Sequence, residues 1–177
     1  MEKRQSSGPW DPTTLRWRVR ERGGTTTVEF SGELNEDTDF GDLGRVLRGS
    51  VVFDLAEVRR INSYGVRAWL AFVRELPAVS ALVLARCSPA FVMQLNLVRN
   101  LRHGAHVRSF LAPYVCERCG HEEAKLLDVA ALPREGGLPP PRQFRCGQCG
   151  APMELDDIPD RYFAFLDGDG EEARRPR

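Results

Sequence analysis

The sequence predicts an α/β protein: a mixed β-sheet with helices packed on it, followed by a small cysteine-bearing module. Two observations carry that expectation. Stretches with alternating or continuous apolar character take turns with stretches whose apolar residues recur every three or four positions, an order of strand, helix, strand, helix, strand that makes two crossover units. Farther on, two Cys-x-x-Cys-Gly segments stand at residues 116–120 and 146–150. At 177 residues, 42% of them hydrophobic, the chain holds one globular domain of about 100 residues plus a small module.

Residues 1–13 are polar, include Pro9 and Pro12, and read as a flexible arm. Leu15-Arg16-Trp17-Arg18-Val19-Arg20 then alternates apolar and basic residues, Gly23-Gly24 turns, and residues 25–34 are rich in Thr, Val and Phe, which predicts a hairpin of half-buried strands. A helix broken by Gly41 and Gly44 is expected around Phe40, Leu43, Val46 and Leu47. Ser50-Val51-Val52-Phe53-Asp54-Leu55 is a nearly continuous apolar strand, implying burial on both faces, and a short loop follows it. From Asn62 to Leu76 the apolar Val66, Trp69, Leu70, Val73 and Leu76 recur at helical steps between Arg67, Arg74 and Glu75, predicting an amphipathic helix that Pro77 ends. Ala81-Leu82-Val83-Leu84-Ala85 is the next buried strand. Ser88-Pro89 reads as an N-cap with proline at the first helical position, opening a helix to about Leu101 with Phe91, Val92, Leu95 and Val98 on one side. Residues 105–115 return as a strand. The expected core is Val52, Phe53, Trp69, Leu82, Leu84 and Leu95.

The strand ending at Tyr114-Val115 leads straight into Cys116-Glu117-Arg118-Cys119-Gly120, and the second pair is Cys146-Gly147-Gln148-Cys149-Gly150. Two residues between cysteines let both thiolates of a tight knuckle face one ion, and the following glycine supplies the left-handed backbone the turn needs. Four soft thiolates suit one tetrahedral Zn2+. The four cysteines Cys116, Cys119, Cys146 and Cys149 thus read as a zinc ribbon whose ion is structural, since four thiolates leave no open coordination position. The alternatives for the same cysteines are two disulfides or redox-active dithiols. Residues 124–132 can form a ribbon strand, Gly136-Gly137-Leu138-Pro139-Pro140-Pro141 is a loop, and residues 153–155 continue after the second knuckle. Tyr162, Phe163, Phe165 and Leu166 are too apolar for a solvated tail and predict a short docking helix, whereas residues 167–177 are charged and read as a disordered tail. The expected organisation is an arm over 1–13, an α/β domain over 14–112, a ribbon with its helix over 113–166, and the tail.

The run Val51-Val52-Phe53-Asp54-Leu55-Ala56-Glu57-Val58-Arg59-Arg60-Ile61-Asn62-Ser63-Tyr64-Gly65-Val66 resembles the STAS domain, the fold of anti-sigma-factor antagonists. That pattern is an apolar strand ending in Asp-Leu, a short loop, then Asp-Ser-x-Gly opening a helix; Gly32-Glu33-Leu34 is similar to the family's Gly-x-Leu at the end of its second strand. The likeness covers residues 14–112. It implies a STAS-like mixed sheet, a signalling role without enzymatic activity, and a serine, here Ser63, that a partner kinase phosphorylates to switch partner binding. Asn62 stands in place of the family's aspartate and Tyr64 in place of a small residue. A phosphate at a helix N-terminus meets free amides while adding about two negative charges to any surface that docks there. The alternative for Ser63 is plain helix capping. The expected phosphorylation or partner-binding set is therefore Ser63, Asn62, Tyr64, Gly65 and Asp54, and the partner is a protein such as an anti-sigma factor, a kinase-like protein or another signalling protein.

Charge separates the function classes. Lys+Arg and Asp+Glu both number 25, a formal net charge of +0, so no overall pull toward nucleic acid or an anionic membrane is expected. Within the ribbon, Arg118, Lys125, Arg134, Arg142 and Arg145 are balanced by Glu117, Glu122, Glu123, Asp128 and Glu135, a poor phosphate footprint. A nucleic-acid-binding or transcription-associated zinc-ribbon protein is the alternative reading. No His/carboxylate set, glycine-rich phosphate loop or open metal site points to an enzyme. Neither an apolar leader nor a membrane-length apolar run is visible, so a cytoplasmic location with reduced thiols is expected. His121 is a surface residue beside the first knuckle, Cys87 a small buried one, and His103 and His106 flank Gly104 in a loop.

Overall fold

The computed structural model describes residues 2–4, 13–76, 78–132 and 144–166. Most of the expected arm, Pro77, the loop at 136–141 and the tail at 167–177 lie outside the described residues.

The alternating basic stretch forms β2 (Arg16–Arg22), which turns at Gly23-Gly24 into β3 (Thr25–Leu34), antiparallel from Arg16↔Ser31 to Arg22↔Thr25. Alternation puts Val19, Val28 and Phe30 into the core, because successive side chains of a strand face opposite ways. Within the expected arm, Glu2–Arg4 form β1, an edge strand on β2, since their amides find ladder partners there. α1 (Leu43–Val46) is a single turn just after Gly41.

β4 (Gly49–Ile61) lies at the centre, parallel to β3 on one side and to β5 (Val79–Ala85) on the other. Its ladder with β5 stops at Asp54↔Ala85, while its ladder with β3 runs on to Leu34↔Ile61. The short loop expected after Leu55 is thus strand. Arg59 and Arg60 are exposed, and pairing with β3 rather than burial of their side chains keeps them extended. Register shifts between Glu29 and Ser31 and between Gly32 and Glu33 absorb the extra residues of β4.

α2 (Ser63–Arg74) packs its buried residues Gly65, Trp69, Phe72 and Val73 on the sheet. α3 (Pro89–Leu97) opens with the Ser88 hydroxyl accepting from the Phe91 amide and with proline in the first turn. It stops short of Leu101, as Val98 turns extended and Asn100 takes a φ of 63°. β6 (His106–Val107) joins β5 in parallel and closes a six-stranded sheet in the order β1-β2-β3-β4-β5-β6. Trp69 centres the core, its ring edge-on to Phe30, Phe53 and Phe91, with its indole N–H donating to the Leu101 carbonyl at 2.9 Å. Phe40 and Phe72 stack beside it at 4.0 Å. Val52, Phe53, Trp69 and Leu84 are buried as expected, whereas Leu82 and Leu95 are only partly so.

The stretch expected as one strand over 105–115 divides. After Val107 the chain leaves β5 and, as β7 (Ser109–Val115), pairs antiparallel with β8 (Glu122–Asp128). β8 ends in a 3-10 turn at Val129–Ala131, where one strand to Leu132 is expected from sequence. β9 (Phe144–Arg145) and β10 (Pro152–Leu155) complete a second, antiparallel sheet in the order β8-β7-β10-β9. β7 crosses position 112/113, the expected boundary. The two sheets touch at Cys87, whose amide donates to the Ser109 carbonyl and whose carbonyl accepts from the Leu111 amide. α4 (Pro159–Tyr162) and a second 3-10 turn at Ala164–Leu166 fold back over β7 and α3. Tyr162, Phe163 and Phe165 are buried around the Phe110 ring; the Tyr162 hydroxyl donates to the Leu111 carbonyl, and the Asn96 side-chain amide donates to the Tyr162 carbonyl at 3.1 Å. The C-terminal segment therefore fastens the ribbon sheet to α3.

Candidate functional site

The two knuckles are built alike. Cys116 follows β7 directly, and its carbonyl accepts from the Gly120 amide at 2.8 Å while its own amide donates to His121; Cys146 follows β9, with Gly150 donating to it at 2.9 Å and its amide donating to Ala151. Gly120 and Gly150 take φ values of 70° and 71°, the left-handed conformation that costs other residues strain. The pairing of β10 with β7 and with β9 then sets the knuckles face to face.

The sulfurs converge. Cys116 Sγ lies 3.5 Å from Cys149 Sγ, Cys119 Sγ lies 3.6 Å from Cys146 Sγ, and all four fall within 4.8 Å of one another. The close contacts cross from one knuckle to the other and are too long for disulfides, which need about 2.05 Å. A tetrahedron of Zn–S bonds of about 2.3 Å has edges of about 3.8 Å, so the cluster has the size and donor set for a thiolate-bound metal ion such as zinc. Acid–base chemistry agrees. Desolvation raises the Cys146 thiol, but the amides of Cys149 and Gln148 and the neighbouring Cys119 and Cys116 outweigh it and draw its pKa down to about 6. At Cys119 a backbone hydrogen bond from His121 lowers the pKa, yet desolvation and the bonds to Cys149, Cys116 and Cys146 push it up to about 12. A divalent cation is what lets four thiols this close together ionise at once. His121 is not among the clustered donors and faces Glu123 at 3.9 Å.

The second candidate site is the start of α2. Asn62 caps it, its side-chain oxygen accepting from the Tyr64 and Gly65 amides at 3.0 Å each. The Asn62 side-chain amide donates to Glu36 at 2.7 Å, and its backbone amide donates to the Leu34 carbonyl at 3.0 Å. Glu36 is held below the usual carboxylate range by a bond within its own residue and by Asn62. Ser63 is exposed in the first turn, and Tyr64 is 57% exposed with the Arg67 guanidinium over its ring. Gly65 is buried against Leu34, so the space its missing side chain leaves is filled by the protein's own β3 and is not open to a partner.

Asp54 does not join this group. It lies within β4, not at a strand end, its carboxylate accepting from the Ala56 amide at 3.2 Å and pairing with Arg86 at 2.7 Å. Along the ladder the interval from Glu29 to Leu34 puts roughly 17 Å between Asp54 and the start of α2. The Asp54 hydrogen bond in turn raises the Arg86 pKa. Sequence reading missed Arg86 as the partner of Asp54 and Glu36 as the partner of Asn62, because each lies far along the chain from the residue it meets. Cys87 is fully buried, and desolvation pushes its thiol far up, so it is inert. His103 and His106 are exposed.

No helix among the described residues is long and apolar enough to cross a membrane. No protein-family model, curated protein or solved structure matches this chain at a significant level.

Proposed function

We propose that the chain is a non-enzymatic signalling adaptor of the anti-sigma-factor-antagonist kind, a STAS-like domain that binds a partner protein at the N-terminal end of α2, with a structural zinc ribbon as a second interaction surface. The observation that carries this reading is the Asn62-capped helix end that leaves Ser63 and Tyr64 exposed side by side. The two segments of the resemblance also meet: Gly65 of one packs on Leu34 of the other. A phosphate on Ser63 would sit at the positive end of α2 and near Glu36, so it would alter the charge of the docking face without disturbing the core. Tyr64 offers the kind of aromatic anchor enriched in interface hot spots.

The test is affinity purification of the intact, zinc-loaded protein with mass spectrometry of partners and phosphosites. Ser63→Asp is expected to weaken capture of the partner and Ser63→Ala to preserve it. A partner that binds Ser63→Asp and Tyr64→Ala as well as the parent overturns the reading, and recovery of nucleic acid in place of a protein partner would favour the ribbon as a nucleic-acid module.

A further inference from the structure

Each knuckle carries an outer and an inner sulfur. Cys119 is exposed and Cys149 half-buried, whereas Cys116 and Cys146, which lead the two Cys-x-x-Cys segments, are 0% and 3% exposed. The two close sulfur contacts join the outer sulfur of one knuckle to the inner sulfur of the other, Cys119 to Cys146 at 3.6 Å and Cys149 to Cys116 at 3.5 Å. Backbone bonds fix the inner cysteines, the Cys116 amide donating to the His121 carbonyl and the Cys146 amide to the Ala151 carbonyl. A closure of about 1.5 Å brings either contact to the length of a disulfide. The fifth cysteine, Cys87, is buried and stands outside the cluster.

We infer that the ribbon is a peroxide-sensitive modification site, in which Cys119 is oxidised first and the cluster closes into two disulfides, Cys119 with Cys146 and Cys116 with Cys149, releasing its zinc. The inference rests on the zinc-ribbon reading and is independent of Ser63. Oxidation of thiolates follows exposure, which singles out Cys119. Its sulfur attacks peroxide: an S–O bond forms, the O–O bond breaks, and the departing hydroxide takes a proton and leaves as water. The sulfur has given two electrons to the peroxide and is now a sulfenic acid. The Cys146 thiolate, 3.6 Å away, attacks that sulfur; the S–S bond forms, the S–O bond breaks, and a second hydroxide takes a proton and leaves as water. A second peroxide converts Cys149 and Cys116 in the same way. Four thiolates, two peroxides and four protons thus give two disulfides and four waters, and the metal ion, deprived of its anionic donors, passes into solution. The two cross-links join residues 27 and 33 positions apart and tie the knuckles to each other as the ion does, so the oxidised ribbon keeps its fold.

The experiment starts from the intact, zinc-loaded chain, its zinc content measured first. Hydrogen peroxide is added while a colorimetric chelator follows the metal, and a tryptic digest without reduction is then mapped by mass spectrometry. Trypsin cuts after Arg118, between Cys116 and Cys119, and at no position between Cys146 and Cys149. The expected pattern is therefore one assembly of three peptides, those of Cys116 and Cys119 each joined to the peptide that bears Cys146 and Cys149, with fragmentation at Gly147-Gln148 assigning Cys119 to Cys146. One zinc should be released for every two peroxides consumed, and Cys87 should remain a free thiol. Dimedone present during a substoichiometric pulse of peroxide should label Cys119. The oxidised ribbon should resist protease like the zinc form, whereas the reduced, chelator-stripped ribbon is cut readily. The proposal is overturned if peroxide leaves the zinc in place, if Cys116 is joined to Cys119, if sulfinic or sulfonic acids form in place of disulfides, if dimedone labels another cysteine first, or if the oxidised ribbon is cut as readily as the stripped one. A chain without zinc before oxidation refutes the metal centre and this proposal with it, so the two failures are told apart at the first measurement.

Discussion

Gly65 of α2 is pressed onto Leu34 of β3: a Cβ built at Gly65 would fall 2.0 Å from the Leu34 carbonyl oxygen and 2.2 Å from its carbonyl carbon. No side chain fits there without moving backbone. The same carbonyl accepts the Asn62 amide, so helix start and strand end form one joint.

Gly65→Ala is therefore expected to destabilise the protein by about 1–3 kcal/mol or more, because the obstructing atoms are backbone and cannot rotate away. Chemical denaturation measures it. A loss under about 0.5 kcal/mol, the range of ordinary surface changes, would contradict the packing described.

Asn62→Ala removes the cap of α2 and is expected to cost about 1 kcal/mol, with Ser63→Ala much less damaging. It also releases Glu36. Because the Glu36 pKa is lowered in the folded protein, its contribution is present above the unfolded carboxylate pKa and is lost as pH falls through the lowered value. In Asn62→Ala the Glu36 resonance should titrate at a higher pH than in the parent, though still subject to the bond within Glu36 itself; an unchanged titration would show that Asn62 does not hold it.

One tightly held zinc per chain is expected by metal analysis of protein purified under reducing conditions. Protons compete for the thiolates, so zinc retention should weaken as pH is lowered toward about 5, followed with a colorimetric chelator. Cys146→Ser should lower zinc content and unfold the ribbon while the aromatic cluster around Trp69 keeps the six-stranded sheet folded. Substoichiometric zinc together with a folded Cys146→Ser ribbon would refute the metal centre.

Phe163 is 1% exposed and packs edge-on to Phe110 with ring centroids 5.9 Å apart. Phe163→Ala should cost about 3–5 kcal/mol. Truncation after Pro159 removes Tyr162, Phe163 and Phe165 together and should raise protease sensitivity and lower the melting temperature. If neither changes, the segment does not fasten the two sheets as described.

What the sequence determines by itself is local. The alternation from Leu15 to Arg20, the helical spacing of Trp69 and Val73, the Ser88-Pro89 start of α3 and the two Cys-x-x-Cys-Gly turns each encode an element within a few residues, because turn geometry and the buried face of a strand or helix are short-range properties. The sulfur cluster was legible for that reason: each knuckle brings its own pair together. Tertiary structure decided the rest. Arg59 and Arg60 read as loop but are strand because β3 offers their backbone a partner, and residues 105–115 divide because β8 and β10 compete with β5 for β7. The same holds for Asp54, which answers to Arg86 instead of the α2 end, and for Gly65, whose space is taken by Leu34. In each case the deciding partner lies far along the chain, and hydrogen bonding or close packing with it overrides what the local pattern alone specifies.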